Sequence, residues 1–74
     1  MGLVLKPQKL IGFLEENDYH FIRNKGSSHK IYSNGVHSVP IAVHSGKDFG
    51  ETYIRMVLKE TGLTKSQLFN YLKR

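Results

Sequence analysis

At Tyr19 the spacing of apolar residues switches from a helical period to a period of two, and this switch constrains the architecture more than any other feature of the chain. Upstream, Leu10, Ile11 and Leu14 fall on one helical stripe with Phe13 alongside, and Pro7 stands where a first helical turn tolerates it. Asn17 is placed to end this helix in a left-handed conformation, although Glu15 and Glu16 oppose the dipole there. Downstream, Tyr19, Phe21 and Arg23 share one face of an expected strand, with His20, Ile22 and Asn24 on the other. Lys25-Gly26-Ser27-Ser28 breaks it. His29 to Ser33 reads as a second strand, and Asn34-Gly35 is a two-residue hairpin signal leading into a third over Val36 to Ile41. Pro40 lacks an amide donor, which places it at a sheet edge or a strand end.

After a loop over Ala42 to Lys47, Asp48 and Glu51 stand at capping-box spacing ahead of the apolar stripe Tyr53, Ile54, Val57 and Leu58, which Gly62 stops. Thr64 and Gln67 repeat the signature before a short final helix carrying Leu68, Phe69 and Leu72, with Lys73 and Arg74 at its C-terminus. The expected class is α+β: a helix, a three-stranded antiparallel sheet, a helix and a short C-terminal helix. The helices pack on one sheet face and leave the other for a ligand. Residues 1–74 are expected to form a single domain, because a chain this short buries only about 60% of its unfolded surface and cannot close two cores.

The chain has no cysteine, so neither disulfides nor thiolate zinc sites are expected, and a reducing cytoplasm is its natural compartment. No apolar run approaches the roughly 20 residues of a membrane span, and Met1 to Leu5 is too short for a signal-peptide core. No membrane partner is expected. Eleven Lys and Arg against six Asp and Glu leave a net charge of +5, which favours a polyanion. The charge is segregated. From Tyr19 to Lys47 the chain carries Arg23, Lys25, Lys30, Lys47 and the histidines His20, His29, His37 and His44, but no acid. Such a stretch suits nucleic acid, where phosphate neutralisation supplies much of the binding, and it equally describes a solvated cationic surface.

The stretch Tyr19 to His29, with an aromatic, Arg23 and then Lys25-Gly26-Ser27-Ser28-His29, resembles the signature of the HicA (YcfA-like) toxins, in which a basic strand runs into a Gly-Ser-His-His turn. Val39-Pro40, then His44-Ser45-Gly46-Lys47-Asp48 and a helix over Thr52 to Gly62, resemble the family's second block; the likeness spans roughly residues 8 to 63. The resemblance implies a fold similar to a double-stranded RNA-binding domain, adapted to cleave messenger RNA, and a HicB-type antitoxin as partner. The family's paired histidines are here Ser28 and His29, and alignment on Gly26-Ser27 puts His29 at the second, catalytic position.

The chemistry is consistent with that assignment. An imidazole titrates near pH 6.5 and can take a proton from a ribose 2′-hydroxyl or give one to a leaving oxygen. Arg23, Lys25 and Lys30 flank His29 in sequence and can neutralise phosphoryl oxygens, and the amides of Gly26, Ser27 and Ser28 can bind them directly. His44 and Lys47 occupy further positions implied to contact RNA. Cleavage through the 2′-hydroxyl needs no metal or other cofactor and spares DNA.

Without the resemblance, His29 reads as an ordinary strand-end histidine, and a non-catalytic RNA-binding module using the same surface is the alternative. A zinc site from His29, His37 and His44 lacks the close spacing of metal motifs. A serine hydrolase is weaker still, since Ser28 adjoins His29 and no Gly-x-Ser-x-Gly elbow is present. His37 is expected to lie opposite Tyr32 across the hairpin, away from His29. Tyr19, Phe21 and Tyr32 can stack on bases, but aromatics on a half-buried sheet are more often core.

Overall fold

The computed structural model describes residues 3–26, 29–43 and 47–73. Among them α1 (Pro7–Glu16) leads into strands β1 (His20–Lys25), β2 (His29–Ser33) and β3 (Ser38–Ala42), followed by α2 (Glu51–Thr61) and α3 (Lys65–Leu72). The strands form one antiparallel sheet in the order β1-β2-β3, so the α+β class and element order are those expected, and they are compatible with the RNA-binding-domain likeness. No helix among the described residues is long and apolar enough to cross a membrane.

α1 starts with Pro7 in its first turn and buries Leu10, Phe13 and Leu14. Its end differs from expectation. Asn17 keeps a φ of −103° and caps through its side-chain amide, which donates to the Phe13 carbonyl at 2.9 Å, while Asp18 takes the left-handed conformation at φ 70°. A short polar side chain tolerates that region, so the reversal falls one residue later. The Tyr19 amide then donates to the Leu14 carbonyl at 2.9 Å. The Tyr19 ring enters the core at 2% exposure, its hydroxyl donating to the buried Thr61 carbonyl at 3.1 Å.

The turn between β2 and β3 also differs. Ser33 pairs with Ser38, so residues 34–37 form a four-residue connection and Val36 is not opposite Ser33. The Asn34 side chain is the cause: its Oδ1 accepts from the Val36 amide at 2.9 Å and the His37 amide at 2.7 Å, a side-chain turn that displaces the two-residue hairpin. Consequently β3 starts two residues late, at Ser38, and His37 lies in the turn rather than opposite Tyr32.

Asp48 and Glu51 do not form the expected capping box. Phe49 is tied to Leu5 by two backbone hydrogen bonds of 2.9 and 2.8 Å and is buried, so α2 begins only after Gly50. Glu51 instead accepts from the Leu3 amide at 3.3 Å and pairs with Arg55 at 2.6 Å and Lys65 at 3.9 Å. The other signals hold: Gly62 ends α2 at φ 76°, and Thr64 and Gln67 cap each other at the start of α3.

Tyr32, Val39 and Ile41 face the helices and close the core against Leu10, Leu14, Ile54, Val57, Leu58 and Leu68. Phe69, expected on the apolar stripe of α3, is 43% exposed, leaving Leu68 as that helix's buried anchor. Burial holds the Tyr32 phenol above its ordinary value of 10.0, with the Glu15 carboxylate as the second cause. The unfolded chain therefore loses this proton first, and the folded state, which retains it, becomes less stable as pH rises past 10.0. Denaturant midpoints taken from about pH 9 to about pH 11 should fall, with a shallower fall in Tyr32→Phe.

Candidate nucleic-acid interface

Tyr19, Phe21, Arg23 and Lys25 have the same parity, and an unbroken strand would turn all four to one face. The structure breaks that parity. Lys25 pairs with His29, Asn24 with Lys30 and Arg23 with Ile31; the ladder then skips Ile22 and resumes with Phe21 opposite Tyr32 and His20 opposite Ser33. Ile22 is the extra residue of a β-bulge. Phe21 thereby keeps to the helix side, its ring 5.9 Å from that of Tyr32, while Arg23 and Lys25 pass to the opposite face. The expectation that Phe21 and Arg23 share a face is corrected by this one inserted residue.

Three rows of side chains result on the face away from the helices. Lys25, His29 and Ala42 form the first, Arg23, Ile31 and Pro40 the second, and His20, Ser33 and Ser38 the third. Directly opposed side chains start about 5 Å apart at Cβ, and successive rows are roughly 7 Å apart. Lys25 is thus the immediate neighbour of His29, and Arg23 lies diagonal to it. His29 is exposed, at a cleft of about 460 Å³ lined by Lys25, Gly26, His29 and Pro40. Gly26 makes the turn beyond Lys25 at φ 71°, a left-handed value that a side-chain-bearing residue would strain to adopt.

Lys30 does not share this face. Its ammonium lies 5.3 Å from the Phe21 ring centre and donates to Asn24 Oδ1 at 3.5 Å, on the helix side of the sheet, because a strand neighbour of His29 must point the other way. Adjacency in sequence placed it with Arg23 and Lys25; the pleat separates it from them. Lys47 lines a second cleft of about 310 Å³ with Ala42, Asp48, Phe49, Gly50 and Tyr53, at the start of α2. Ala42, the cross-strand partner of His29, lines that cleft too. Ser27, Ser28 and His44 lie outside the described residues.

His37 is at the far end of the β2–β3 hairpin, with His29 four residues along β2 from Ser33, or about 13 Å. Those two imidazoles do not converge. Among the described residues no three His, Asp or Glu side chains cluster as a metal would require. Sequence reasoning missed Pro40 as a lining residue: the register expected from Asn34-Gly35 sets it directly opposite His29, and the observed Ser33–Ser38 pairing moves it one row along, opposite Ile31, where it still lines the cleft. It also missed Tyr53, read only as helix core, whose hydroxyl accepts from the Ala42 amide at 2.9 Å and donates to the Pro40 carbonyl at 3.4 Å.

A family model described as "HicA toxin of bacterial toxin-antitoxin" matches residues 7–63, a span that contains the whole sheet and α2. No curated protein and no solved structure matches the chain.

Proposed function

From the premise that this chain belongs to the HicA toxin family of bacterial toxin–antitoxin systems, and so is a toxin with a cognate antitoxin, we propose that it is a metal-independent RNA endonuclease with His29 as its proton-transfer group. The observation that carries the reading is the row Lys25–His29, with Arg23 diagonal to it, on an exposed and acid-free sheet face. A phosphodiester laid across these rows meets an imidazole beside two cations. His29 takes the 2′-hydroxyl proton, the 2′-oxygen attacks phosphorus, and the P–O5′ bond breaks as the 5′-oxygen takes a proton from water, giving a 2′,3′-cyclic phosphate and a 5′-hydroxyl; the hydroxide left behind is neutralised by the His29 imidazolium. Lys25 and Arg23 steady the charge that gathers on the phosphoryl oxygens. Gly26 supplies an amide at the end of the row, and Lys47 extends the contact toward α2; for Ser27, Ser28 and His44 a role in RNA contact rests on the family likeness alone. Lys30, on the other side, contributes to the long-range field rather than to this phosphate. The substrate class is messenger RNA, the compartment the cytoplasm, and the antitoxin is of the HicB type.

The test is cleavage of single-stranded RNA in EDTA. Cutting should persist without divalent metal, stop when the scissile nucleotide lacks its 2′-hydroxyl, and leave DNA of the same sequence intact. Cleavage of the 2′-deoxy substrate at an undiminished rate would refute the mechanism. A passive RNA-binding surface would give salt-sensitive binding and no product.

A further inference from the structure

The two borders of the sheet are finished differently. On β3 the Pro40 ring removes one donor, and the Tyr53 hydroxyl occupies both the Ala42 amide and the Pro40 carbonyl. β1 forms the opposite border, and among the described residues nothing pairs with its outer side. All six of its residues are exposed, including the adjacent apolar pair Phe21 and Ile22 at 46% and 56%. Sheets ordinarily cover or blunt such an edge, because its open backbone groups accept a further strand.

We infer that β1 is the docking strand for the antitoxin, which lays an extended acidic segment along it. The partner's apolar side chains would cover Phe21 and Ile22, and its carboxylates would meet Arg23 and Lys25. Charge selects this occupant. No Asp or Glu lies between Tyr19 and Lys47, so the border carries no acid, and Arg23 and Lys25 make its second half cationic. A second copy paired antiparallel along the whole strand would set Lys25 opposite His20 and Arg23 opposite Ile22, leaving both cations without a counter-charge that an acidic segment supplies. The bulge at Ile22 divides the backbone ladder into two short stretches, which makes the apolar contacts beside it necessary to hold the segment. Because Arg23 and Lys25 turn to the His29 face, carboxylates paired with them take the place of the substrate phosphate. In this last respect the inference rests on the nuclease reading: docking at β1 neutralises the toxin by occupying the cations beside His29.

Hydrogen exchange on the full-length toxin, free and in complex with its antitoxin, reads the docking directly. The β1 amides that face the open edge, rather than bonding to β2, should exchange fast in the free toxin and at least about tenfold slower in the complex. Ile22→Ser, which alters an exposed side chain outside the cleft, should weaken the antitoxin complex by about tenfold and leave RNA cleavage within about twofold of the original. Arg23→Glu should impair both. Unchanged β1 exchange in the complex would overturn the inference, as would full antitoxin affinity in a folded Ile22→Ser protein. Protection of β1 in the free toxin with a doubled solution mass would overturn it in favour of a second copy. The two readings fail separately: slowed β1 exchange alongside undiminished cleavage by His29→Ala would keep the docking strand and remove the catalytic assignment.

Discussion

Replacing His29 with alanine should lower RNA cleavage at least about 100-fold, the smaller end of what a positioned proton-transfer group contributes. The fold should survive. His29 is exposed, and an exposed substitution away from caps, core and special backbone conformations changes stability by roughly 0.5 kcal/mol or less. Single-turnover cleavage and thermal unfolding on the same preparation separate the two effects, and a variant that cuts at the original rate removes His29 from the mechanism. Lys25→Gln and Lys30→Gln form the informative control, since they change net charge equally. Lys25 faces His29 across the ladder and Lys30 faces the helix side. Loss of Lys25 should reduce the salt dependence of RNA binding by about one phosphate contact and slow cleavage; loss of Lys30 should leave the cleavage step largely intact.

The largest effect on stability is expected from Leu14→Ala. Leu14 is fully buried between α1 and the sheet, and its carbonyl receives both the Asn17 and Tyr19 amides as the chain leaves the helix. Truncating a buried leucine costs about 2–5 kcal/mol through lost transfer energy and the cavity left behind. A domain of this size holds only about 4–11 kcal/mol in total, so the variant should lose roughly a fifth of its stability or more. Chemical denaturation should report a lower midpoint with little change in slope. A loss below about 1 kcal/mol would mean that neighbouring side chains collapse into the space.

Most of the architecture was legible in the chain because local signals and burial agreed. Pro7 with Leu10 and Leu14, the strand over His29 to Ser33, Gly62, and the Thr64–Gln67 cap each specify a feature within a few residues, and each is observed. One failure arose where a longer-range contact outweighed a local signal, and another where a side chain outweighed a backbone preference. Phe49 pairs with Leu5 more than forty residues away, which leaves Asp48 outside α2, and no local pattern contains that pairing. At Asn34-Gly35 the dipeptide was read through its backbone preference, whereas the Asn34 side chain determined the turn length. His29 was identified by family likeness rather than by its own chemistry, and its neighbours depended on face assignment. The parity of Tyr19 and Phe21 with Arg23 and Lys25 already held a clue. Two aromatics that seek the core and two cations that avoid it cannot share one face of a regular strand, so an extra residue between them was implied.

Among the described residues, Pro40 and Tyr53 block the Pro40–Ala42 end of the β3 border while β1 stands open, so β1 is the border at which this sheet accepts a further strand. Adding a strand there fills that border, so edge pairing at β1 terminates at a pair of partners. Open-ended stacking into filaments requires two complementary borders on each molecule, and among its described residues this toxin offers one that is fully open.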